Sequence, residues 1–114
     1  MIDERTGRSI LLLKNTLDTG RVVLFPEATD KAAALHRLIA ALAGSPIVTD
    51  EDALRRAVFH REGLMSTGIG LGIAVPHVRI PSVRAPVMAA GWSRTGLPDY
   101  ASLDEQPVYL VFLI

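Results

Sequence analysis

Apolar positions recur along this chain at two spacings, and the spacings alternate from one stretch to the next. Ile10, Leu13 and Leu17 in SILLLKNTLDTG stand at helical intervals, and Gly20 is placed to end that element, which predicts a short first helix. RVVLF, residues 21–25, then reads as a strand that stops at Pro26. In ATDKAAALHRLIAALAG, Leu35, Leu38, Ile39 and Leu42 make one apolar stripe, Thr29 is the predicted N-cap, and Gly44 falls just past the end. His36 borders that stripe and is read as a boundary histidine on the helix side.

After the Ser45-Pro46 break, Thr49-Asp50-Glu51-Asp52 resembles a capping box with aspartate in place of glutamate. It opens another helix, with Leu54, Ala57 and Val58 on its apolar face. Its acids sit at the positive end of the dipole and Arg61 near the negative end, before Gly63. Further strands are predicted at 69–75, 87–93 and 108–114; the last is an unbroken apolar run, the pattern of a strand covered on both faces. Helices and strands interleave, so the expected fold class is α/β (α+β), a mixed β-sheet flanked by helices. The chain shows no internal repeat, low-complexity tract or linker.

With 114 residues and 49% apolar content the chain can bury one core, and residues 1–114 are read as a single domain. Twelve basic residues balance twelve acidic ones, which removes the long-range field that nucleic acid or an anionic membrane would require. The absence of cysteine rules out disulfides, thiolate metal sites and cysteine nucleophiles. MIDERTGRSILLLK is neither a signal peptide nor a spanning helix, which points to a cytoplasmic protein without membrane insertion.

The chemistry concentrates in TGIGLGIAVPH, residues 67–77. Read as one strand, it places Gly68, Gly70 and Gly72 on a bare face and Ile69, Leu71 and Ile73 on the other. A bare face suits close approach by a phosphate, a partner's main chain or a packed helix, and a tightly packed, bulged strand would also explain it. The dinucleotide fingerprint fails because position 73 is isoleucine, and no Walker G-K-[ST] ending exists. Pro76 ends the strand and delivers His77 at its tip, where α/β proteins place their chemistry. No metal-ligand spacing surrounds His77, and no G-x-S-x-G elbow is present, so a nucleophilic imidazole is the reading that survives. A histidine that takes up a phosphoryl group needs positive charge around the phosphoryl oxygens. Arg61 is the first candidate to supply it and Arg79 the second, with Thr67 and the backbone at Gly68 and Gly70 as further support. Trp92 and Tyr100 are assigned to packing, and Leu103-Asp104 to turn chemistry.

Arg61-Glu62, Ser66-Thr67-Gly68-Ile69-Gly70 and Gly72-Ile73-Ala74-Val75-Pro76-His77 together resemble enzyme IIA of the bacterial phosphotransferase system, fructose/mannitol type, with its nitrogen-regulatory relatives. VVLFPEATDKAAALHRLIAALA and GLPDYASLDEQPVYLVFLI extend the resemblance over nearly the whole chain. It implies a phosphocarrier with His77 phosphorylated and Arg61 as the electrostatic partner of the phosphoryl group. The implied donor is an HPr-like phosphocarrier protein, the implied acceptor a IIB domain or, in the nitrogen branch, a regulated protein, and no cofactor is implied. Two departures stand out. Val78 follows His77 where the family prefers a small residue, and the sequence stops at Ile114, where the family continues through a second active-site histidine and further helices. The expected domain is therefore C-terminally truncated, with one side of its final strand uncovered and an oligomer as one way to cover it.

Overall fold

The computed structural model describes residues 17–83 and 85–114. The predicted first helix around Ile10 and Leu13 lies outside the described residues, but Leu17 and Gly20 belong to a strand. Strand β1 thus covers Leu17–Leu24, starting before the predicted 21, and Phe25 beyond it turns into the core. Helix α1 spans Lys31–Ala43 and α2 spans Glu51–Leu64. Strands β2 (Gly68–Gly70), β3 (Ile73–Ala74), β4 (Met88–Leu97) and β5 (Val108–Leu113) follow.

Both helices are capped one residue later than predicted. Asp30, not Thr29, caps α1 by accepting from the Ala33 N–H at 2.8 Å, while Thr29 Oγ1 donates to the Pro26 carbonyl. Asp50, not Thr49, caps α2 by accepting from Ala53 N at 3.0 Å, and Thr49 Oγ1 donates to the Ser82 carbonyl. Side chains this short can reach an N–H or a carbonyl, and in each pair the threonine hydroxyl, which alone has a proton to give, takes the carbonyl. Gly63, predicted to terminate α2, lies inside it.

The sheet runs β1-β4-β5-β3-β2 and is mixed: β1 lies parallel to β4, β4 antiparallel to β5, β5 parallel to β3, and β3 antiparallel to β2. Helix α1 packs across β1 and β4, and α2 packs on α1. Leu35, Leu38, Ile39 and Leu42 of α1 meet Leu54 and Val58 of α2 and Ala89, Val111 and Leu113 of the sheet in one core. Gly91 makes room there for the Phe25 ring; a Cβ at Gly91 would come within 2.1 Å of Phe25 Cζ.

The opposite face corrects two expectations. Trp92 is 48% exposed rather than packed, and β5 is not covered on both sides, since Leu110 is 37% exposed. Val22, Leu24, Trp92 and Leu110 form an exposed apolar row through the pairings Leu24↔Trp92 and Trp92↔Leu110. Alternation along the strands puts Val111 and Leu113 in the core and their neighbour Leu110 outside.

Candidate functional site

The segment 67–77 is a hairpin rather than a single strand. β2 and β3 are joined by Leu71 and Gly72, whose φ angles of 57° and 77° are both left-handed, as a tight hairpin turn demands. Gly72 accepts this conformation freely, whereas Leu71 is a strained and 93% exposed non-glycine residue. Asp104 fixes the tip, accepting from the Leu71 N–H at 2.9 Å and from Gln106 N at 3.1 Å. These bonds, Leu71 first, hold the Asp104 carboxyl below the usual carboxylate range, a role beyond the turn chemistry read from the sequence.

The alternating glycines therefore make no common bare face. A Cβ at Gly68 would lie 2.2 Å from the Ala101 carbonyl oxygen, so the backbone that comes close is the protein's own. Leu103 N donates to the Gly68 carbonyl, and Ser66 Oγ donates to Ala101 O at 2.6 Å. Gly68 and Gly70 are both buried.

His77 follows from the other end of the hairpin. Beyond Ala74 the chain continues beside the end of β5: Ile114 N donates to Pro76 O at 3.1 Å and Val78 N to Ile114 O at 3.3 Å. Ala74 and Pro76 are buried, so alternation turns His77 outward, and it is exposed. Its Nδ1 lies 2.8 Å from the Val75 carbonyl oxygen. A carbonyl can only accept, so in the neutral ring Nδ1 carries the proton and Nε2 keeps its lone pair, which takes no hydrogen bond among the described residues.

Arg61 stands in the last turn of α2, where its Nη1 donates to the Met65 carbonyl at 2.7 Å and meets the negative end of the helix dipole. Among the described residues no hydrogen bond or ion pair joins Arg61 to His77. Their segments are joined by the backbone: Val75 N donates to Thr67 O at 3.0 Å, which ties the exit of α2 to the approach to His77. Arg79, two residues past His77, is exposed and borders a cavity of about 380 Å³ lined also by Leu42, Leu54, Val78 and Ile114.

Thr67 turns inward. Its hydroxyl donates to Oε1 of Glu62, which also accepts from the Tyr100 hydroxyl at 3.0 Å. The Glu62 side chain is 3% exposed; its Oε2 takes no hydrogen bond among the described residues and is neutralised by Lys31 Nζ at 2.9 Å. The same ammonium lies 4.4 Å from the centre of the Tyr100 ring. Burial, reinforced by the Glu62 charge, raises the Tyr100 phenol well above its ordinary range, so the phenol keeps its proton to donate. Sequence reading passed over Glu62, Lys31 and Tyr100 as a group, yet one signal was available. Glu62 falls four residues after Val58, itself four after Leu54, on the buried stripe of α2, and a carboxylate on such a stripe requires partners.

Among the described residues no helix is long and apolar enough to cross a membrane. Residues 15–114 match the family described as "Phosphoenolpyruvate-dependent sugar phosphotransferase system, EIIA 2". The chain is 39% identical over 104 residues to a PTS system fructose-specific EIIABC component of Bacillus subtilis, covering 91% of this chain and 15% of that protein. It is 36% identical over 89 residues to a PTS system fructose-specific EIIA component of Haloferax volcanii, covering 78% of this chain and 56% of the relative. The crystal structure of nitrogen regulatory protein IIA-Ntr from Neisseria meningitidis superposes with a TM-score of 0.78 at 28% identity, over 90% of this chain and 68% of that one. The mixed sheet, the helices beside it and the match over nearly the whole sequence lead to one conclusion: the chain belongs to the EIIA 2 family of the phosphotransferase system.

Proposed function

We propose that this protein is a cytoplasmic phosphocarrier that accepts a phosphoryl group on His77 from an HPr-like phosphocarrier protein and passes it to a IIB domain. The single observation that carries the reading is the Nδ1 to Val75 carbonyl bond, which leaves an exposed Nε2 lone pair at the rim of the sheet. In the transfer a P–N bond forms at Nε2 as the bond from phosphorus to the donor's histidine breaks, and Nδ1 keeps its proton. The reaction asks the protein chiefly for positioning and charge. Arg61 is the residue for the charge: a guanidinium released from the Met65 carbonyl can hold two phosphoryl oxygens at once. Arg79 is the second such cation. Thr67, Gly68 and Gly70 contribute by shaping the hairpin, since all three are buried.

Incubation with phosphoenolpyruvate, enzyme I and HPr should add one phosphoryl mass that is labile to acid and stable to base. His77→Ala should abolish the increment and Arg61→Ala should slow its appearance. Full labelling of the His77 variant would move the phosphate elsewhere and end this assignment.

A second reading is a regulatory module acting through protein contact, with phosphorylation modulating that contact. It is favoured by the likeness to nitrogen regulatory proteins, including one of Pseudomonas aeruginosa at 29% identity over 92% of this chain. A chain that is never labelled under those conditions, yet binds a regulated protein, would select it.

A further inference from the structure

The phosphocarrier reading uses His77 and Arg61 and leaves unexplained a fully enclosed carboxylate in the residue after Arg61. Burying a charge is costly, and an ion pair returns little of that cost as net stability. Glu62 nevertheless ties together four parts of the fold: Lys31 at the start of α1, its own last turn of α2, Thr67 just before β2, and Tyr100 beyond β4. From Glu62 an unbroken series of hydrogen bonds reaches the reactive ring. Thr67 Oγ1 donates to Glu62 Oε1, Val75 N donates to Thr67 O, and His77 Nδ1 donates to Val75 O. Arg61 is covalently joined to one end of the series, and His77 is the other end.

We propose that Thr67 and Tyr100, gathered on the buried Glu62 carboxylate, are positioning residues that hold Arg61 in register with His77. This inference rests on the assignment of those two residues above. Thr67 touches neither phosphoryl group nor imidazole; it acts through Glu62 on one side and Val75 on the other. Tyr100 holds the carboxylate's orientation, its hydroxyl 2.9 Å from that of Thr67 and its ring beneath Lys31.

The test compares Thr67→Val, which keeps the shape and removes the donor, with Thr67→Ser, which restores the hydroxyl. Phosphoryl transfer from phospho-HPr should fall on the order of 10- to 100-fold in the valine variant and recover in the serine variant. An independent readout needs no donor protein: hydrogen exchange of the Val75 amide, which donates to the Thr67 carbonyl, followed by NMR. Thr67→Val should speed that exchange and Thr67→Ser should restore its protection, while Arg61→Ala, which leaves the series intact, should not alter it. In the Arg61→Ala background, where no guanidinium is left to position, Thr67→Val should slow phosphoryl transfer no further. A further slowing of transfer in the double variant, or a folded Thr67→Val chain with unaltered exchange and transfer, would overturn the inference. If Thr67→Val fails to fold, Tyr100→Phe is read by the same two measurements and the same criteria. If the unaltered chain takes up no phosphoryl group, the functional reading is lost, and the exchange of the Val75 amide alone decides whether Thr67 holds the series together.

Discussion

His77 and His36 illustrate how much one hydrogen bond decides about a side chain. Nδ1 of His77 faces a carbonyl and must donate, whereas Nδ1 of His36 lies 3.1 Å from the Nε–H of Arg55 and must accept. The two imidazoles are therefore opposite tautomers when neutral, and ring-nitrogen NMR should show the proton on Nδ1 of His77 and on Nε2 of His36. Asp104 supplies a second prediction at this scale. Its carboxyl is held below the ordinary range by the Leu71 and Gln106 amides, so its contribution is complete above the unfolded carboxylate pKa and is lost as pH falls through the lower folded value. Asp104→Ala should melt below the parent at neutral pH, and the gap between the two melting temperatures should close in acid. The His36 tautomer and the work of Asp104 were not legible in the sequence, because Arg55 and Leu71 reach them from distant segments, whereas His77 finds its partner in Val75, two residues back along the chain.

Among the elements, α2 separates what spacing can specify from what it cannot. Its stripe and its acidic start were legible, because i, i+4 periodicity is a local property of the chain. Its end was not: Gly63 looked like a stop, but the helix continues to Leu64 because Arg61 satisfies the Met65 carbonyl and Glu62 is anchored in the interior. A Cβ at Gly63 would meet nothing within 4 Å, so the glycine is there without steric need. Gly63→Ala should stabilise the protein by about 1 kcal/mol, readable as a higher urea midpoint with unchanged slope. The hairpin is the converse case. Period-2 alternation through 69–75 suggested one strand, and the two left-handed residues at its tip make two. Glycine at alternate positions is compatible with either arrangement, and the Asp104 bond to Leu71 selects the turn.

For the molecule as a whole, the sheet order places the last strand at the centre and the hairpin at an edge, so the site is assembled where the β3 extension passes Ile114. The core on the helix side tolerates no added volume at Gly91, where the enclosed Phe25 ring already occupies the space of a side chain. Gly91→Ala should destabilise by about 1–3 kcal/mol, measured by denaturant unfolding, in contrast to the gain at Gly63. The same alanine substitution thus has opposite signs at two glycines that look alike in the sequence.

The order of residues alone was enough to determine the mixture of helices and strands, the core stripes of both helices, the outward delivery of His77 after Pro76, and the family to which the motif belongs. Each of these depends on periodicity or on the fixed geometry of neighbouring residues, which is local. Tertiary structure decided which aspartates cap, that the glycines serve a turn and the chain's own backbone, and that Glu62 gathers Thr67, Tyr100 and Lys31. Those outcomes turn on whether a polar group can find a partner once water has been excluded, and the partners come from segments brought together only when the sheet closes.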